Sequence, residues 1–196
     1  MTTRAAQGQA THDHLVVVAT RLFGEQGYEG TSIEHVLGEA GVSRGALYHH
    51  FASKEALFEA CLQMIESRMT EGLLELIADA PNAVAALHSA ALGWISVAGD
   101  PVISRILLLD GPAVLGWERW RVQSGQALAQ MRAMLQAVSD EDQLAPSLVN
   151  SFAHILLASL DEIALMIAQA EDWEAAMTEG RTAVEELLRR LITPSR

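Results

Sequence analysis

Apolar residues recur every three or four positions along most of the chain, the spacing that buries one face of an α-helix. Leu15, Val16, Ala19, Leu22 and Phe23 form the first such stripe, which predicts a helix from His12 to about Gln26 with Gly27 as its stop and Tyr28 packing back on it. Residues 31–54, TSIEHVLGEAGVSRGALYHHFASK, then compress three helix starts into a short stretch. Thr31 lies three residues ahead of Glu34, the capping-box spacing, and Ser43 and Ser53 are the next two candidate N-caps. Gly41 supplies the positive φ that ends a helix, and Ile33, Val36, Leu37, Ala40, Val42, Leu47 and Phe51 form an inward face. Arg44, Gly45, Tyr48 and His49 are left facing outward. Two short helices crossed about a glycine turn, the second polar on its exposed side, make a helix-turn-helix whose second helix fits a DNA major groove.

The remaining pattern is helical throughout. Ser53 opens a long helix to about Asp79, and further helices are expected at 82–98, 101–109, 112–138, 146–170 and 173–192. Pro-, Gly- or Asp-containing breaks separate them. No strand alternation, internal repeat or low-complexity tract interrupts this, so the fold class is all-α. The expected domains are a flexible arm at 1–11, a DNA-binding domain at 12–58 and a helical bundle at 59–196. No linker separates the two domains, and a continuous helix joins them.

Composition changes the picture at two points. Half of the residues are hydrophobic and only five are prolines, which suits a packed core rather than a disordered chain. The formal net charge is −12, and residues 1–60 hold four cations against seven acids. DNA-binding domains are usually basic. Here, affinity must rest on a few placed groups, and the anionic body suppresses non-specific binding. The single cysteine, Cys61, excludes an internal disulfide and a multi-thiolate metal site. The first residues lack the apolar core of a secretory signal, and no apolar run is read as reaching the ~18 residues that cross a bilayer, so the expected location is the cytoplasm.

GVSRGALYHHFASKEALF, with the preceding LFGEQGYEGTSIEHVL and the chain length, resembles the DNA-binding signature of the TetR family of transcriptional regulators. The resemblance covers about a quarter of the chain. It implies a homodimeric, ligand-responsive DNA-binding regulator, a repressor released from its operator by a small apolar or aromatic effector. It places Ser43, Arg44, Gly45 and Tyr48 toward bases, and Thr31, His49, His50 and Lys54 toward the DNA backbone. The residues themselves support parts of this. Arg44 at the start of the recognition helix has a fork that fits guanine O6 and N7. Lys54, the only lysine in the chain, opens a helix whose N-terminus favours an anion such as phosphate.

By the same resemblance, the C-terminal helices enclose an effector cavity. Candidate walls are Trp94, Ile103, Leu107, Trp117, Trp120, Met131, Met134, Phe152 and His154, with Leu62, Ile65 and Met69; for each one taken singly, plain core is the favoured reading. The helix at 146–170 is apolar around most of its circumference and so needs more than one buried face. The helix at 173–192 carries Trp173, Met177, Gly180, Val184, Leu187 and Leu191 at alternating four and three spacing. Together they are expected to form a two-fold dimer interface, with a filled monomer core as the other reading. His49-His50 is a poor chelate and His35/Glu39 a single i, i+4 pair, so no metal and no cofactor is expected. No phosphate-binding loop, nucleophile elbow or HExxH occurs, which points away from an enzyme. Two rival readings stay open: an all-α interaction module without DNA binding, and a small helical enzyme or metal carrier.

Overall fold

The computed structural model describes residues 4–97 and 99–192, apart from the side chains of 4, 5, 117 and 120–124. All regular structure among them is helical. The elements are α1 (Arg4–Gly30), α2 (Ile33–Ala40), α3 (Arg44–His50), α4 (Lys54–Ala78), α5 (Ala83–Val97), α6 (Pro101–Ile103), a π-helical stretch (Ser104–Asp110), α7 (Gly111–Leu115), α8 (Trp117–Asp140), a 3-10 turn (Pro146–Leu148), α9 (Val149–Ala168) and α10 (Trp173–Leu191).

Residues 4–11 are not an arm but the first turns of α1. Gln and Ala favour the helix, Gln9 Nε2 donates to Asp13 Oδ1 over 2.8 Å, and the Thr11 hydroxyl donates to the Gln7 carbonyl. Among the described side chains none before Leu15 is buried, and the apolar stripe that defines a helix in sequence is missing from this stretch. The first helix breaks at Gly27, as its sequence suggested: φ 76°, ψ 167° is not helical, and a separate short helical turn completes α1 to Gly30.

The capping box at Thr31 is overturned as well. Ser32 is the N-cap of α2 and accepts the His35 N–H over 3.1 Å. Thr31 is buried, its hydroxyl donating to the Leu22 and Gly27 carbonyls at 3.1 and 2.9 Å. Ser43 caps α3 through the Ala46 N–H, Ser53 takes the Ala56 N–H at the head of α4, and Gly41 ends α2 in the left-handed region at φ 65°.

Two compact units emerge. The first comprises the chain up to Arg68 together with Pro101–Gly116. Its core holds Leu15, Ala19, Leu22, Phe23, Val36, Leu47, Leu57, Phe58, Cys61 and Leu62, all fully or nearly fully buried. Phe58, where the sequence suggested a boundary, lies inside this core, its ring 5.2 Å from Phe23 and 5.1 Å from Tyr28. The boundary at Arg68 follows the end of that apolar stripe. Segment 101–116, which was expected to belong with the C-terminal helices, packs on α1 instead. Val102 lies against Gly24, Arg105 reaches Gly27, and the Tyr28 N–H donates to Asp110 Oδ2 over 2.8 Å.

The second unit comprises Met69–Asp100 and the chain from Trp117 on. Leu87 and Ile95 of α5, Leu135 and Val138 of α8, Ala153, Leu156, Ala164 and Ile167 of α9, and Val184 of α10 form its core. The helix expected to run unbroken from Pro112 is divided at Gly116, whose φ is 76°. Helix Pro146–Ala168 is, among the described residues, long and apolar enough to cross a membrane, which corrects the reading that no segment reaches that length. Its buried residues recur at three- and four-residue spacing as a core stripe.

Candidate nucleic-acid interface

Helix α3 presents its polar side because Leu47 anchors the other. Leu47 is fully buried, Phe51 follows it into the core, and Ser43, Arg44, Gly45, Tyr48 and His49 are exposed. Gly45 has only the Ser43 hydroxyl within reach of an added Cβ, so this side of the helix is open. The Arg44 guanidinium sits 6.0 Å from the centre of the Tyr48 ring, and it is ion-paired with Glu34 of α2. His50 is half-buried, its ring 5.9 Å from that of His12 and 5.2 Å from that of His49. Burial first, then the neighbouring imidazoles, pushes its pKa below the usual histidine value.

Lys54 is also engaged. Its ammonium lies 4.1 Å from the centre of the Tyr28 ring, a cation–π contact. That ring is in turn stacked on Phe23 at 5.7 Å and set edge-on to Phe58. Burial, then Glu55 and Glu29, pushes the Tyr28 phenol up. The aromatic cluster thus fixes the start of α4 beside α1. Arg21 completes the local electrostatics: it bridges Glu39 and Glu25. Glu39, which sequence spacing paired with His35, is therefore an arginine partner.

The structure brings Ser43, Arg44, Gly45, Tyr48 and His49 onto one exposed side, with His50 beside His49, while Lys54 is held on the Tyr28 ring. It does not bring Thr31 there, because the Thr31 side chain points into the core. Two residues that shape this surface were missed from sequence: Glu34, assigned to a cap, and Tyr28, assigned only to packing. No local period links Glu34 to Arg44 or Tyr28 to Lys54, so no pattern signalled either contact.

Of the residues assigned to an effector cavity, Ile103 and Leu107 belong to the first unit, Leu107 being buried. In the second, Met131 is buried, while Trp94, Met134 and Phe152 are half-buried. The Trp94 indole N–H is enclosed and has no hydrogen-bond partner among the described residues. His154 stands exposed on α9, on the same polar side as Asn150, which is the solvent-facing alternative for that face. The Trp117 and Trp120 side chains lie outside the described set. Among the described residues no three or more His, Cys, Asp or Glu side chains gather as a metal site. Cys61 is buried, with its thiol pushed up to about 12 by burial, which is the state of a core residue rather than a nucleophile.

Comparison with known proteins gives this geometry its context. Residues 15–61 match the bacterial regulatory proteins of the tetR family, and residues 84–191 match the tetracyclin repressor-like C-terminal domain. The Transposon Tn10 TetC protein of Escherichia coli is 28% identical over 137 residues, 69% of each chain. The HTH-type transcriptional repressor NicS of Pseudomonas putida is 26% identical over 162 residues, 80% of this chain and 76% of that one. A crystal structure of a TetR-family transcriptional regulator from Pectobacterium atrosepticum superposes with a TM-score of 0.84 at 30% identity, covering all of both chains. The interaction-module and enzyme readings give way to these matches. With a helix-turn-helix whose polar side is open and a C-terminal family match that spans more than half of the chain, this chain belongs to the TetR family and is a ligand-responsive, DNA-binding transcriptional regulator.

Proposed function

We propose that this regulator is a homodimeric cytoplasmic repressor that reads its operator through Ser43, Arg44, Gly45 and Tyr48 and leaves it when an apolar or aromatic effector binds the C-terminal helices. The observation that carries the proposal is the open side of α3, on which a guanidinium and a phenol flank a glycine while Leu47 holds the helix from beneath. Arg44 takes the O6/N7 edge of a guanine, Tyr48 meets a thymine methyl or a phosphate, and Lys54, with His49 and His50, contacts the backbone.

Pairing through α9 and α10 rests on apolar surface that one chain leaves uncovered. Leu148, Ile155 and Met166 are exposed, and Ala158, Ile163, Ala183 and Leu187, with Ser159 and Glu162 beside them, line an open groove between the two helices. A second copy related by two-fold symmetry buries both. The two α3 helices must then sit about 34–36 Å apart to enter successive major grooves. An effector that favours a different separation drains the DNA-competent form, and a swing from 99:1 to 1:99 requires a roughly 10⁴-fold preference. The enclosed Trp94 N–H, a donor without a partner among the described residues, supports an effector that carries a hydrogen-bond acceptor on an otherwise apolar body.

The test is a gel shift with a duplex selected from a random library by the wild-type protein. Arg44→Ala is expected to lose discrimination at one base pair of each half-site. Unchanged affinity and unchanged preference would mean that α3 is wrongly oriented in this reading. Titrating apolar acids and planar aromatics into the complex is expected to release the duplex. Indifference to every class would remove the effector part.

A further inference from the structure

The first sixty residues carry more acids than bases, and each basic side chain described among them is already engaged. Arg21 is held by Glu25 and Glu39, Arg44 by Glu34, and Lys54 sits on the Tyr28 ring. Among the described side chains of this segment, imidazoles are the remaining reserve of positive charge. Three of them form a row where α1 lies against the end of α3. The His12 ring of α1 is 5.9 Å from that of His50, which in turn is 5.2 Å from that of His49. The buried Phe51 ring lies 4.8 Å from His12 and 6.3 Å from His50, so the row rests on the core. Its outer member, His49, is exposed on the side of α3 that carries Arg44, Gly45 and Tyr48.

The charged and titratable groups that bear on this row are few. His50 is flanked by His49 from its own helix and by His12 from α1. His12 Nδ1 lies 3.1 Å from Asp13 Oδ1, and Gln9 donates to the same oxygen. His12 first, and then Gln9, hold the Asp13 carboxyl below its ordinary value. His14 meets the Ala40 carbonyl over 3.1 Å instead.

We propose that DNA binding takes up protons at the His12–His50–His49 row, so that this regulator holds its duplex more tightly as pH falls through the imidazole range. The inference rests on His49 and His50 facing the DNA backbone, as set out above. In the free protein, burial and the two neighbouring imidazoles keep His50 neutral near pH 7. A phosphate brought against the row reverses this balance, because an opposite charge within about 4–6 Å raises an imidazole pKa by about one unit or more. The complex then binds more protons than the free protein. Affinity therefore rises as pH falls from the raised value in the complex to the lower value in the free protein, and levels off below it. One unit is a factor of about ten, of which about three- to sevenfold falls between about pH 8 and about pH 6. Two protomers on one duplex multiply this to about ten- to 50-fold.

The test compares wild type, His49→Gln, His35→Gln and the triple variant His12→Gln/His49→Gln/His50→Gln. Glutamine keeps a hydrogen-bonding amide but gains no charge. Fluorescence anisotropy is read from about pH 6 to about pH 8, at fixed ionic strength, on a duplex selected from a random library by the wild-type protein. Titration calorimetry in two buffers of different ionisation heat counts the protons taken up. Wild type is expected to bind about ten- to 50-fold more tightly at the lower pH and to take up protons from the buffer. Its log–log salt slope is expected to be steeper at the lower pH by about 0.9 for each proton gained. The triple variant is expected to lose all three effects. His49→Gln, exposed and so safe for folding, is expected to reduce them, and His35→Gln, on the exposed side of α2, to keep them.

Absence of proton uptake by the wild type overturns the proposal without recourse to any variant. A pH dependence that survives in the triple variant, or that vanishes equally in His35→Gln, does the same. If the triple variant weakens binding by one factor at every pH, the histidines touch the backbone as neutral groups and only the proton uptake is refuted. If it leaves affinity unchanged throughout, their backbone role fails and this inference falls with it.

Discussion

Replacing Gly27 and Gly41 by alanine, one at a time, separates two backbone costs that look alike in sequence. Gly41 sits at φ 65°, ψ 28°, the left-handed helical region, with nothing within 4 Å of an added Cβ. That region costs an L-residue about 1–2 kcal/mol, and alanine recovers about 0.4–1 kcal/mol by restricting the unfolded chain. The net loss is about 0.5–1 kcal/mol. Gly27 sits at φ 76°, ψ 167°, a region almost confined to glycine that costs up to about 3 kcal/mol. Its added Cβ would also lie 2.9 Å from the Arg105 guanidinium, but that is the free end of a flexible side chain and moves cheaply. Backbone strain therefore dominates, and the net loss is about 2 kcal/mol. At this chain length each kcal/mol moves Tm by about 2–4 °C. Scanning calorimetry is expected to show a fall of about 4–8 °C for Gly27→Ala and about 1–4 °C for Gly41→Ala. Equal falls, or a larger one for Gly41→Ala, would refute the assignment of strain to Gly27. Gly27 also sets the position of Tyr28, the seat of Lys54, so Gly27→Ala is expected to weaken binding to all duplexes together.

Three further outcomes follow from the same structure. Lys54→Ala is expected to weaken selected and scrambled duplexes by the same factor and to make the salt slope shallower by about 0.9, measured by anisotropy against salt. Asp161 is half-buried on α9 and its carboxyl is pushed up to about 6 by burial. Its folded pKa is raised above the unfolded 3.8, so the folded state holds the proton more tightly and stability falls as pH rises from about 4 to about 6. The shift corresponds to at most about 3 kcal/mol, and partial exposure reduces this to about 1–2 kcal/mol. Urea titrations at pH 4.5 and 6.5 are expected to show that loss in wild type and its absence in Asp161→Asn. Cys61, buried and protonated, is expected to resist a thiol reagent in the native protein and to react on unfolding, which absorbance of the released chromophore reports.

The local level of this protein was legible in its residues. Helical periodicity placed the centres of α1–α5 and α8–α10. Ser43 and Gly41 set the cap and the turn through backbone groups within four residues of themselves, and Leu47 marks the buried side of α3 as an apolar residue in a polar stretch. The signature around GVSRGALYHHF pointed to the family on the same local grounds. Pattern failed where no apolar stripe exists, as in residues 4–11, and where two residues compete for one role, as when Ser32 rather than Thr31 caps α2. Tertiary structure alone decided that Asp110 accepts the Tyr28 N–H across 82 positions, that Tyr28 seats Lys54, and that Glu34 holds Arg44. The physical reason is the range of the forces. Propensity, capping and amphipathicity are written in neighbours along the chain. Ion pairs, ring contacts and the placement of segment 101–116 depend on which surfaces meet after folding, and sequence spacing carries no trace of that.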